Sequence, residues 1–93
     1  MIVRIMGEGQ VRLDDVHLAE LDELDDELLA ETRSGDEEGF RRTLGALLDA
    51  VRRLGAPLPD DALEPSELIL PSPDATLPEV REMLKDTDGL IPG

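Results

Sequence analysis

The chain has 93 residues, no cysteine, one aromatic residue (Phe40) and a formal net charge of −14 at pH 7. Without cysteine it can form neither disulfides nor thiolate metal sites, and its acidity and lack of stacking side chains argue against binding nucleic acid or anionic lipid surfaces. No apolar run approaches the roughly 20 residues of a membrane span, so we expect no direct membrane insertion, and the length predicts one domain over residues 1–93.

Two short runs rich in β-branched residues open the chain, at residues 2–6 and 10–13. They are separated by Gly7-Glu8-Gly9, and glycines at both ends of so short a loop predict a β-hairpin, because glycine accepts the positive φ values that such turns require. Alternation along the strands separates an apolar face from a mixed face that another element or a partner would cover. The apolar face holds Val3, Ile5, Val11 and Leu13, and the mixed face holds Ile2, Arg4 and Met6.

Two amphipathic helices follow the hairpin. The first should run over about 15–33, with Asp14 or Asp15 as its N-cap and Ser34-Gly35 as its end. The second should begin after Asp36 and end at Gly55, with Pro57 preventing continuation. So short a connection predicts an antiparallel αα-hairpin. The apolar stripes are Leu21, Leu24 and Leu28 on the first helix and Phe40, Leu44, Leu47, Leu48, Val51 and Leu54 on the second.

One carboxylate interrupts the first stripe. At 100° per residue, Asp25 falls between Leu21 and Leu29. A buried aspartate needs a partner, and Arg4 or Arg12 of the hairpin is the candidate. The alternative is an aspartate at the edge of the stripe that reaches water.

The last third of the chain carries all seven prolines, yet it also contains leucines and isoleucines that a disordered tail would lack. Residues 67–70 predict a third strand beside the hairpin. Thr76 and Glu79 have the spacing of a capping box and predict a short helix over 77–86. The predicted fold is therefore α+β: an N-terminal β-hairpin, an antiparallel αα-hairpin, and a Pro-rich segment that adds a third strand and a short C-terminal helix.

No constellation of catalytic or cofactor-binding residues is legible. His17 is the single histidine, none of the serines lies in a G-x-S-x-G context, and the acidic residues do not form an EF-hand loop. Gly7 and Gly9 form a G-x-G without the rest of a dinucleotide fingerprint, and a hairpin turn explains both. We therefore expect no enzymatic activity, no cofactor and no metal site.

The acidic face of the first helix is the main candidate for a function. Its carboxylates either form a solvated surface or bind a basic protein partner. The candidate partner-binding residues are Glu20, Glu23, Asp26, Glu27 and Glu31 on this helix, with Asp60, Asp61, Leu90 and Ile91 in the last third as weaker candidates.

Several distinctive strings run through the chain: MIVRIMGEGQ at the start, LDELDDEL and SGDEEGF in the helices, PLPDDALEPSELILP and the terminal DGLIPG. They resemble the PspA-associated family PspAA over essentially the whole chain. The resemblance implies an accessory role in the envelope-stress response, beside a PspA-like coiled-coil protein that binds the inner leaflet, and hence a cytoplasmic protein that reaches the inner membrane face through its partner. The alternative is a structural homo-oligomer that self-associates through the mixed face of the sheet.

Overall fold

The computed structural model describes residues 1–59, 61 and 64–85. Within this part of the chain the fold is α+β, as the sequence predicts, with three α-helices and a four-stranded mixed sheet. The elements in chain order are β1 (Ile2–Ile5), β2 (Gly9–Arg12), α1 (Leu18–Ser34), α2 (Glu37–Leu54), β3 (Ala56–Pro57), β4 (Leu68–Leu70) and α3 (Leu77–Met83).

The hairpin forms for the predicted reason, although its loop lies one residue earlier, at residues 6–8. Gly7 and Gly9 have φ values of 85° and 120°, which side chains larger than hydrogen rarely allow. The strands pair antiparallel, with Val3 opposite Val11 and Ile5 opposite Gly9. The predicted inner face is therefore correctly placed toward the core.

The sheet order is β3-β2-β1-β4. β4 lies where the sequence predicts a third strand, and it pairs parallel to β1, with Val3 opposite Leu68. The additional strand β3 was not predicted, because Pro57 had been interpreted only as a terminator of α2. It pairs antiparallel with β2 at the edge of the sheet, where a proline costs no ladder hydrogen bond.

The helix boundaries shift slightly from the predicted ones. A 3₁₀ turn over Asp15–His17 precedes α1, and Asp14 caps it by accepting a 3.1 Å hydrogen bond from the Val16 amide. Gly35 ends α1 in the left-handed conformation, at φ 78°. Asp36 caps α2 as predicted, by accepting from the Gly39 amide.

The N-terminus of the third helix is capped by two reciprocal hydrogen bonds. Glu79 accepts from the Thr76 amide, and the Thr76 hydroxyl accepts from the Glu79 amide, so the capping box read from the sequence is present. α3 ends at Met83, whereas the predicted helix extended to residue 86, which lies outside the described residues.

The core lies between the inner face of the sheet and the helices, and the last third of the chain contributes to it. Leu24 and Leu54, predicted as core residues, are only partly buried at its margin. The buried apolar residues that the Pro-rich segment and α3 add are Leu68, Leu70, Ala75, Leu77, Val80 and Leu84. This burial packs the described parts of the proline-punctuated segment against the core.

Asp25 is buried, with 2% of its surface exposed, which excludes the alternative of a stripe-edge aspartate that reaches water. It is not without a partner. One of its two candidate partners, Arg12, forms a bidentate ion pair with Glu64, with Arg12 Nη2 to Glu64 Oε2 at 2.9 Å.

The connection from β3 to β4 crosses the outer face of the sheet. The Gln10 side-chain amide donates to the Glu64 carbonyl at 2.7 Å and to the Ser66 hydroxyl at 2.8 Å, and the Arg12–Glu64 ion pair lies beside them. Beneath this crossing Ile2 is buried, although it belongs to the outer face. The crossing therefore covers one half of the mixed face that the sequence left open.

α3 is attached to the C-terminal end of α1 through Arg81. Its guanidinium donates from Nη2 at 2.9 Å and from Nε at 3.3 Å to the Thr32 carbonyl in the last turn of α1. A cation at a helix C-terminus also interacts favourably with the helix dipole. This contact sets the position of α3 next to the edge of the sheet.

Phe40 is the largest core residue, with 1% of its surface exposed. We expect Phe40→Ala to lower the free energy of unfolding by about 3–5 kcal/mol, because the substitution leaves a cavity among aliphatic side chains. A domain of this size has little stability in excess of that amount. Urea denaturation followed by circular dichroism measures the change, and a loss below about 1 kcal/mol would contradict a core role for Phe40.

Gly55 follows the last residue of α2 as its C-cap. Its φ of −96° is open to any residue, so a left-handed conformation does not explain the glycine, and the reason is steric. A Cβ at this position would collide with the Val11 side chain and lie 2.9 Å from the Val51 carbonyl oxygen. We expect Gly55→Ala to destabilise the fold by about 1–3 kcal/mol in urea denaturation, because α2 and β2 would have to separate.

Gly45 provides the matched control for this substitution. It lies exposed in the middle of α2, and a Cβ there would meet no described heavy atom within 4 Å. Gly45→Ala should raise stability by about 0.5–1 kcal/mol, because alanine restricts the unfolded chain and favours the helix. Equal effects of the two substitutions would show that close approach does not explain Gly55.

Candidate interaction surface on the first helix

The exposed side of α1 carries a group of carboxylates beside one partly buried leucine. Its opposite side is buried at Leu21, Asp25, Leu28 and Thr32, so the 3.6-residue period turns the residues between them toward solvent. These solvent-facing residues form a shallow, open depression with a volume of about 460 Å³. The depression is lined by Glu20, Glu23, Leu24, Asp26 and Glu27.

The depression carries uncompensated negative charge. None of its four carboxylates belongs to an ion pair within the described part of the chain, and no basic side chain lines it. Like charges one helical turn apart repel one another modestly in water. A ligand that brings positive charge to this surface would relieve that repulsion, and Leu24, partly buried at its margin, offers apolar contact.

Glu31, the fifth candidate residue on α1, lies elsewhere. It is half-buried at the junction of α1 and α2, and its carboxylate packs against Gly39 in the first turn of α2. Its Oε1 atom is buried and has no hydrogen-bond partner among the described residues. Any side chain at position 39 would displace this carboxylate. The structure therefore separates Glu31 from the four carboxylates of the depression.

Of the four weaker candidates, only Asp61 lies within the described residues, and it does not line this depression. Asp61 is exposed in the crossing between β3 and β4, on the sheet side of the molecule. Asp60, Leu90 and Ile91 lie outside the described residues. Of the six candidate residues that the structure describes, four line one contiguous surface.

The described residues include no group of three or more histidine or acidic side chains placed to hold a metal ion. Among the helices they form, none is both long enough and apolar enough to cross a membrane.

A second surface was not predicted as a unit. Met6, Ile69 and Met83 are each between 41% and 49% exposed and line one groove between the sheet and α3. Met6 had been placed on the mixed outer face, and alternation along the strand puts Ile69 there too. Met83 lies on the third helix that the capping box predicts, and the position of α3 shows that its side chain is exposed.

The comparisons with known proteins bear on the whole chain. The family model described as PspA-Associated protein, PspAA, matches residues 1–93. No curated protein and no solved structure matches the chain. Since the family model spans every residue, the chain belongs to the PspAA family of PspA-associated proteins.

Proposed function

We propose that this protein is a non-enzymatic, single-domain accessory protein that binds a PspA-like coiled-coil protein and regulates or assists it in the envelope-stress response. Family membership supports the association with PspA. The observation that carries the choice of surface is the depression on α1, which is lined by four carboxylates without an ion pair among the described residues and by Leu24.

The negative charge of this surface favours a partner that presents a basic helical face. Long coiled coils that dock on anionic membranes carry lysine and arginine, and four carboxylates within two turns of α1 present a complementary potential. Each exposed ion pair contributes little on its own. Collectively the charges accelerate encounter, and contact with Leu24 adds a short-range apolar contribution. The protein would act in the cytoplasm and reach the inner membrane face through its partner.

A structural homo-oligomer is the second candidate, and the partly apolar outer face of the sheet favours it. The net charge of −14 opposes it, because two copies repel each other at every separation within the Debye length. Sedimentation velocity at several protein concentrations and two salt concentrations separates the possibilities. A monomer throughout rejects the homo-oligomer.

We expect Glu23→Gln combined with Glu27→Gln to slow association with a purified PspA-like protein by about two- to tenfold at low salt, because exposed charges steer encounter. The difference should shrink as salt rises and screens these charges. Surface plasmon resonance with the PspA-like protein immobilised measures both rates.

The control is Glu38→Gln combined with Glu67→Gln, which changes the net charge equally at exposed carboxylates on other elements. It should leave most of the association rate intact. Equal slowing by both double variants would reduce the role of α1 to general charge. Absence of binding by the wild-type protein would reject the proposed function itself.

A further inference from the structure

The described residues have four exposed large hydrophobic side chains, and three of them meet in one groove. Met6, Ile69 and Met83 are 48%, 49% and 41% exposed, whereas the fourth, Val16, lies apart in the 3₁₀ turn before α1. The groove has a volume of about 430 Å³ and is lined also by Pro71, Ala75 and Glu79 among others. Scattered single hydrophobic residues are ordinary on a surface, whereas three that line one groove make that groove a candidate interaction site.

The walls of the groove belong to ordered elements. Glu79 and Met83 lie one turn apart on α3, which Arg81 anchors to α1. The Met6 amide donates to the Leu70 carbonyl at 3.1 Å, which holds the first residue of the hairpin loop beside β4. The frame is therefore rigid, while two unbranched methionine side chains can adapt to the shape of a ligand.

The dimensions favour side chains from a helix over an added strand. An apolar cavity of about 150 Å³ holds a benzene-sized group, so 430 Å³ accommodates two aliphatic side chains. β4 is an edge strand, but it has only three residues and Pro71 follows it directly. An added strand would therefore gain few hydrogen bonds. Two side chains one helical turn apart on a bound helix have the same spacing as Glu79 and Met83 on the wall of the groove.

Charge selects the kind of partner. The Glu79 carboxylate lines the groove and uses Oε1 for its cap with Thr76, and its negative charge remains at the rim. Arg81, on the same helix, is occupied by the Thr32 carbonyl. A second copy would bring its own net charge of −14 to this rim. A basic segment is therefore favoured over self-association.

We propose that the groove between Met6, Ile69 and Met83 is a docking site for an amphipathic helix of a partner protein, one that inserts two aliphatic side chains one turn apart and places lysine or arginine against Glu79. This site lies on different elements from the depression on α1, so either surface can fail as a binding site without the other.

The three methionines of the chain supply the test. Met6 and Met83 line the groove, and Met1 lies outside it beside Leu13, so it serves as an internal reference. The probe is a synthetic amphipathic peptide of about 18 residues, long enough to form a helix, with leucines at i and i+4 flanked by lysines. Titration into protein with ¹³C-labelled methionine methyl groups should shift the Met6 and Met83 signals saturably and leave Met1 unchanged.

Substitutions of similar size test the assignment without adding charge. Ile69→Thr combined with Met83→Gln should weaken binding, followed at Met6, by about tenfold or more, because the apolar anchors lose their contacts. Val16→Thr, at the exposed hydrophobic residue outside the groove, should leave the affinity unchanged. Glu23→Gln with Glu27→Gln should also leave the Met6 and Met83 shifts unchanged, which separates this site from α1.

Peptide controls complete the test. A peptide with serine in place of leucine should not shift Met6 or Met83, and a peptide with glutamate in place of lysine should bind at least about tenfold more weakly. Equal shifts at Met1, or an unaltered affinity in the groove variant, would overturn the docking site. Equal binding of the glutamate peptide would overturn the basic partner. Concentration-dependent shifts of Met6 and Met83 without peptide would assign the groove to a second copy and overturn the proposal.

Discussion

The parallel pairing of β4 with β1 is the constraint on which the rest of the structure depends. Antiparallel strands can be joined by a tight turn, but parallel strands need a connection that returns along the sheet. With α1 and α2 on the inner face, the chain between β3 and β4 crosses the outer face, where Gln10 and Arg12 hold it. Ile2, whose carbonyl accepts from the Glu67 amide at the end of this connection, is buried, whereas Met6 stays exposed. The half-covered outer face is thus a consequence of topology.

Three of the nine basic residues of this acidic chain join parts that are distant in sequence. Arg12 ties the crossing segment to β2, Arg81 ties α3 to α1, and Arg52 ties α2 to the hairpin loop through Glu8, with Nη2 to Oε2 at 2.6 Å. The hydrogen bonds that Arg52 donates to the Glu8 carboxylate, together with the negative charges of Glu8 and of Asp49 nearby, raise the pKa of Arg52 above its ordinary value. Because these cations contact the protein itself, the carboxylates of α1 keep an unneutralised field toward solvent.

The two candidate surfaces differ in their physics and therefore in what they can contribute to binding. The α1 depression is charged, open and solvated, which suits it to accelerating encounter while adding little affinity. Among the described residues, the groove beside α3 has a single charged lining residue, Glu79, and its other walls are mostly apolar. A ligand that fills it excludes water from these side chains, which suits the groove to holding a partner in place. A basic amphipathic helix satisfies the requirements of the groove, and a basic coiled-coil face satisfies those of α1.

Much of the local structure could be read from the sequence because its causes are local. Gly7 and Gly9 specify the hairpin through positive φ, Asp36 caps α2, and Thr76 with Glu79 forms the capping box. The period of 3.6 residues identified the exposed carboxylates of α1, because helix geometry alone turns them away from the leucines. Membership of the family was also legible, from strings spread over the whole chain.

Only the tertiary structure decided where elements distant in the chain meet. Pro57 reads as a helix terminator, and it becomes an edge-strand residue because β2 offers it a partner across the sheet. Glu31 follows the same helical period as the exposed carboxylates of α1. Its carboxylate nevertheless lies against Gly39, in space that a side chain at that position would fill. Met83 is exposed because α3 turns Leu77, Val80 and Leu84 into the core, and Arg81 links the helix to α1. Local propensity and periodicity specify elements and their faces, whereas contacts between remote residues depend on packing that no single window of sequence contains.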